Sequence, residues 1–97
     1  MTYLIKYKAR SHIMSRHQGN VTEADCTFWI AAHDEQHAIK RALNYGQEMG
    51  WDFLNWQLIT VTDRQSCINN PRELDRFDSA QQDGAACNIE ICKHDNQ

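Results

Sequence analysis

The sequence predicts an α+β fold in which a small antiparallel sheet carries one main helix packed on one face. Three observations predict it. Apolar residues alternate with period two over residues 2–10 and again over 57–62. A compact apolar run with the same alternation occupies residues 26–32. Between the strands, residues 34–49 place apolar side chains at three- and four-residue intervals, which is the spacing of one helical face. The 97 residues fit a single domain, 1–97, because two domains would each be too small to bury a core. Hydrophobic residues make up 41% and charged residues 24%, a globular rather than a disordered balance. The mean hydropathy of −0.72 implies a thin core.

The first strand sets Tyr3, Ile5, Tyr7 and Ala9 on one side and Lys6, Lys8 and Arg10 on the other. A polar stretch, residues 11–22, follows with Gly19-Asn20 as its turn signal, and reads as a long, mobile hairpin connection. The second strand puts Cys26, Phe28 and Ile30 on one face. Asp34 is placed to cap the helix, and Glu35 adds negative charge to its first turn. Ala38, Ile39, Ala42, Leu43, Gly46 and Met49 form the apolar stripe, and Gly50 suits a left-handed terminator. Residues 51–56 read as a bulky connector in which alternation would put Trp51 and Phe53 on one side and Trp56 on the other. Residues 57–62 are β-branched and alternating, hence a third strand. Asn70-Pro71-Arg72-Glu73 has the features of a helix start, but Leu74 and Phe77 supply a weak apolar face, so a short helix ending at Gly84 is expected. Residues 88–92 close the order as a short edge strand, and residues 93–97 are expected to fray.

The formal charge of −3 is unevenly placed. Residues 1–22 carry Lys6, Lys8, Arg10 and Arg16 and no acid, whereas acids outnumber bases from residue 51 onward. Lys6, Lys8 and Arg10 at spacing two form a line of charges ~7 Å apart, close to the phosphate spacing along one nucleic-acid strand. His12, Arg16 and His17 extend that line. Tyr3 and Tyr7 alternate onto the other face, so they cannot stack bases beside those cations. Glu73, Asp75, Asp78 and Asp83 offer carboxylates to a basic partner surface, with Arg72 and Arg76 set among them. Full protonation of the five His would reverse the sign of the formal charge.

No apolar run approaches the ~20 residues that span a bilayer. The N-terminal residues lack the apolar stretch of a secretory signal, so a reducing, cytoplasmic setting is expected. Cys26, Cys67, Cys87 and Cys92 then read as small buried hydrophobes. In an extended segment Cys87 and Cys92 would point to opposite faces ~17 Å apart, which forbids a bridge. Cys67, Cys87, Cys92 and His94, with Cys26 as a further candidate, are the only plausible set of donors for zinc, without a recurrent zinc spacing. His33 and His37 stand four apart, with His33 just before the helix cap. No Cys or Ser lies in a nucleophile motif, so no catalytic residue, metal site or cofactor is assigned.

In architecture, residues 2–62 resemble small phage or mobile-element accessory proteins, among them some anti-CRISPR inhibitors: a hairpin, one helix opening at His33-Asp34-Glu35, then a strand. The resemblance implies a stand-alone, non-catalytic protein that blocks a larger nucleic-acid-handling complex by covering its surface. It transfers no functional residue.

The expected function is therefore a non-enzymatic protein-binding module. Its expected contacts are acidic at Glu73, Asp75, Asp78 and Asp83, basic at Lys6, Lys8, Arg10 and Arg16, and aromatic at Trp51 and Phe53. Two rivals stay open: a nucleic-acid-binding accessory protein using the basic strand, and a small zinc-binding regulator using the C-terminal Cys/His set. Either a monomer or a homodimer through an exposed strand edge fits the pattern.

Overall fold

A computed structural model describes residues 1–11 and 23–92. The element order is β1 (Thr2–Ser11), β2 (Glu23–Ala31), α1 (Glu35–Glu48), β3 (Trp51–Thr62), α2 (Arg64–Cys67), α3 (Pro71–Asp83) and β4 (Ala85–Ile91). The strands make one antiparallel sheet in the order β3-β1-β2-β4. The two most regular apolar strands thus lie in the middle, and β3 and β4 form the edges.

One face of the sheet carries α1. Tyr3, Ile5, Tyr7 and Ala9 of β1 are buried there with Cys26, Phe28 and Ile30 of β2, as the alternation requires. The buried positions of α1 are Ala38, Ala42 and Gly46, all small and four apart. Such a stripe brings the helix backbone close to the sheet, so the Tyr7 hydroxyl can donate to the Ala42 carbonyl at 3.1 Å. Asp34 caps the helix by accepting from the His37 amide at 2.8 Å. Gly50 just past its end has φ +91°, the left-handed conformation predicted for it. Met49 is not part of the stripe; it is the C-cap, 45% exposed.

The other face is not bare. α3 lies across its Trp29 end, and Trp29, Cys67, Phe77 and Ala80 form a second core to which Leu4, Leu74 and Ala86 add. The short helix expected after residue 70 is in fact 13 residues long. Its apolar face is weak only when read without Ala80, which is fully buried. Asn70 caps it by accepting from the Arg72 and Glu73 amides at 3.1 and 3.2 Å. Gly84 ends it at φ +91°, and the turn leads straight into β4, which begins at Ala85 rather than residue 88. The sequence reading also omitted α2, a single turn in which Asp63 accepts from the Ser66 amide and hydroxyl, each at 2.9 Å.

The connector assigned to residues 51–56 is corrected: those residues belong to one strand that runs without a break to Thr62. The apolar bulk suggested a packed loop, but pairing with β1 supplies the backbone partners that make it a strand. The hairpin connection over residues 12–22 and the expected fraying of 93–97 lie outside the described residues.

Candidate protein-binding surface

Within the sheet β3 is hydrogen-bonded to β1 alone, so among the described residues no strand pairs with its outer edge from Phe53 to Thr62, about 34 Å at ~3.4 Å per residue. The strand contains no Lys, Arg, Pro or Gly, the residues that commonly blunt an edge. Its register against β1 shifts twice, between Lys6 and Tyr7 and between Lys8 and Ala9. Each shift inserts one extra β3 residue, Gln57 and then Leu54, and so turns the side chains that follow.

The consequence is an aromatic cluster that simple alternation forbids. Trp56 lies opposite Tyr7 and Phe53 lies opposite Ala9, both on the α1 side. The Phe53 and Trp56 rings are 4.5 Å apart, and both meet Tyr7 edge-on, at 5.5 and 5.7 Å. The expectation that Trp56 faces away from Phe53 is therefore corrected. Tyr7 in turn stacks on Phe28 at 5.7 Å, which ties the cluster to the core. Trp51, one of the two aromatics singled out from sequence, is half-buried against that core, whereas Phe53 is 39% and Trp56 40% exposed. Leu58 and Val61, at 40% and 52% exposed, continue the apolar character toward the other end of the strand.

The basic line is interleaved with acids. Lys8 lies opposite Asp25 and pairs with it at 3.6 Å, and that carboxylate holds the Lys8 ammonium above its ordinary pKa. Gln57 donates to the same carboxylate at 3.1 Å, and Lys8 also reaches Cys92 Sγ at 3.7 Å. Arg10 stands between Glu23 on β2 and Asp52 on β3. Lys6 alone has uncharged cross-strand neighbours, Thr27 and Leu58. Arg16 lies outside the described residues.

The acids of α3 do not share a face. At ~100° per residue, Glu73 and Asp75 are directed nearly opposite ways around the helix. Asp78 is held by Arg64 through two contacts, 3.2 and 3.4 Å, and Glu73 accepts from Asn70 at 3.4 Å. Asp75 and Asp83 are exposed.

The cysteines are free and dispersed. Cys67 belongs to the α3 core, Cys87 packs on the α1 core, and Cys92 sits at the rim beside Lys8. Burial pushes the Cys26 thiol up to about 11 and raises that of Cys67. Among the described residues no three His, Cys, Asp or Glu converge in a metal-binding group, and His94 lies outside them. His33 and His37 stack 6.4 Å apart and line a 490 Å³ recess with Met1, Ala31, Ala32 and Arg41. Among the described residues no Cys, Ser or carboxylate lines that recess beside the imidazoles. Arg41 is occupied there, donating to the Ala31 carbonyl at 2.6 Å and the Tyr45 hydroxyl at 3.1 Å. No described helix is long and apolar enough to cross a membrane. Comparison with protein-family models, with curated proteins and with solved structures finds no match to this chain.

Proposed function

We propose that this chain is a non-enzymatic protein-binding module that takes up an extended segment of its partner along β3. The observation that carries the reading is the unpaired edge of β3, flanked by exposed Phe53, Trp56, Leu58 and Val61. An unpaired row of backbone amides and carbonyls is a template for strand addition, and adjacent apolar side chains supply anchors. The partner segment is extended, low in charge and apolar on alternate residues, since β3 offers Asp52 as its only ionised side chain. Such a module acts by occupation: whatever else would pair with the partner's segment is kept off it. That mode of action is the inhibitory one implied by the architectural resemblance. Nucleic acid is the less favoured ligand, because Lys8 and Arg10 each face carboxylates across the sheet.

Selection of extended peptides from a display library against the full chain tests the proposal. Selected peptides should perturb the amide resonances of β3, and the double variant Leu58→Glu, Val61→Lys should lose them by more than tenfold. Both side chains are largely exposed, so that variant should fold. A selection that yields no β3-directed peptide, or binders indifferent to the double variant, would remove β3 as the binding surface.

A further inference from the structure

On the face opposite α1, the first turns of α3 overhang the sheet and leave a groove of 230 Å³. Lys6 from β1, Trp29 from β2, and Arg72 and Arg76 from α3 line it. Two donors belonging to those residues are buried without any acceptor: Trp29 Nε1 and Arg76 Nε. Trp29 as a whole is 4% exposed, and its remaining access is through the groove that it lines. Leaving a buried donor unanswered costs about 1–3 kcal/mol, so each such donor in a folded protein calls for a partner. Here two of them stand in the lining of one groove.

The charges point the same way. Among the described residues Lys6, Arg72 and Arg76 make no ion pair, although Glu73 and Glu90 line the same groove. Glu73 instead accepts from Asn70 Nδ2. The amides of Arg72 and Glu73 are already taken by the Asn70 cap, so recognition falls to side chains. What Trp29 Nε1 and Arg76 Nε lack is an acceptor within hydrogen-bond reach, which neither Glu73 nor Glu90 supplies. Guanidinium forks match the planar carboxylate and the tetrahedral phosphate, and an indole N–H adds a neutral donor. The volume is below the ~300 Å³ at which drug-sized pockets begin, which limits the occupant to a small anionic head.

We propose that this groove binds a compact oxyanion, the phosphate or carboxylate group of a small molecule, through Trp29, Arg72, Arg76 and Lys6. No residue of β3 lines the groove, so the site does not depend on binding along that edge.

The test is a ¹H–¹⁵N titration of the full chain with inorganic phosphate and, separately, with succinate, against chloride at equal ionic strength. Trp29→Phe assigns the indole resonance. Saturable shifts of Trp29 Nε1–H and Arg76 Nε–H are expected in the millimolar range, with the Trp51 and Trp56 indoles unmoved. The stronger of the two probes identifies the head group. Arg76→Gln and the exposed Arg72→Gln should each weaken binding at least tenfold, while Lys40→Gln on α1 leaves it unchanged. If Arg76→Gln perturbs the backbone spectrum, Arg72→Gln carries the comparison alone. Linear shifts, equal shifts at all three indoles, or a response only to a polynucleotide would each overturn the small-anion site. Val61→Lys, which tests β3, should leave the titration intact, so the two proposals fail separately.

Discussion

Tyr7 carries its hydroxyl across the α1 core to the carbonyl of Ala42 because Gly46 leaves room for it. A Cβ on Gly46 would collide with that hydroxyl, and would also stand 3.2 Å from Tyr7 Cζ. Gly is a poor helix residue by about 1 kcal/mol against Ala, so its place in the last turn of α1 reflects packing and not propensity. Gly46→Ala should therefore cost about 2–4 kcal/mol, from overpacking and a lost hydrogen bond, despite the gain in helix propensity. In a Tyr7→Phe background the same substitution should cost much less, with a coupling of at least about 1 kcal/mol in a urea double-mutant cycle. Purely additive costs would show that the hydroxyl is not the obstacle. The neighbouring Cys26 supplies a second test. Its thiol is raised from an ordinary 9.0 to about 11 by burial, and burial raises the Tyr7 phenol as well. Folding thus favours the neutral forms, so the unfolded chain ionises first as pH rises. Stability is complete below pH 9 and falls above it, toward 11 for Cys26, as the unfolded state releases protons that the folded state retains. Urea midpoints should decline between pH 9 and 10.5, and Cys26→Ala should flatten that slope.

At the level of elements, α1 and α3 are bounded by the same chemistry, a polar side chain at one end and a left-handed Gly past the other. Asn70 satisfies two amides of α3, so Asn70→Ala should lower stability by about 1 kcal/mol in denaturant melts, typical of a lost N-cap. An unchanged midpoint would mean that packing of Phe77 and Ala80 holds α3 without its cap. These boundaries were readable from sequence because caps act within three or four residues. The course of β3 was not. Its two shifts answer to the register against β1, and alternation alone puts Trp56 on the wrong side. A run of large apolar residues next to a β-branched strand was the available signal that the strand begins at Trp51.

The whole molecule is a sheet between two unequal cores. The α1 side holds Tyr7, Phe28, Ile5, Ile30 and Cys26 fully buried, whereas the α3 side rests on Trp29, Cys67, Phe77 and Ala80. The smaller core should open first. Native-state hydrogen exchange is expected to show residues 64–83 exchanging at lower cost than β1 and β2, with Phe77→Ala speeding their exchange more than tenfold while β1 stays near wild type. Uniform acceleration would instead make the two cores one cooperative unit.

The sequence by itself determined the α+β class, the buried faces of β1 and β2, and both ends of α1 and α3, since periodicity and caps are local properties of the chain. Tertiary structure decided which aromatics meet, which cations find carboxylates and which donors are left without acceptors. Phe53 and Trp56 meet Tyr7, 46 and 49 positions away in sequence, through the register of β3 against β1, and Trp29 and Arg76 border one groove only after α3 folds back over the sheet. Contacts of that range depend on how elements pack, and no window of neighbouring residues carries them.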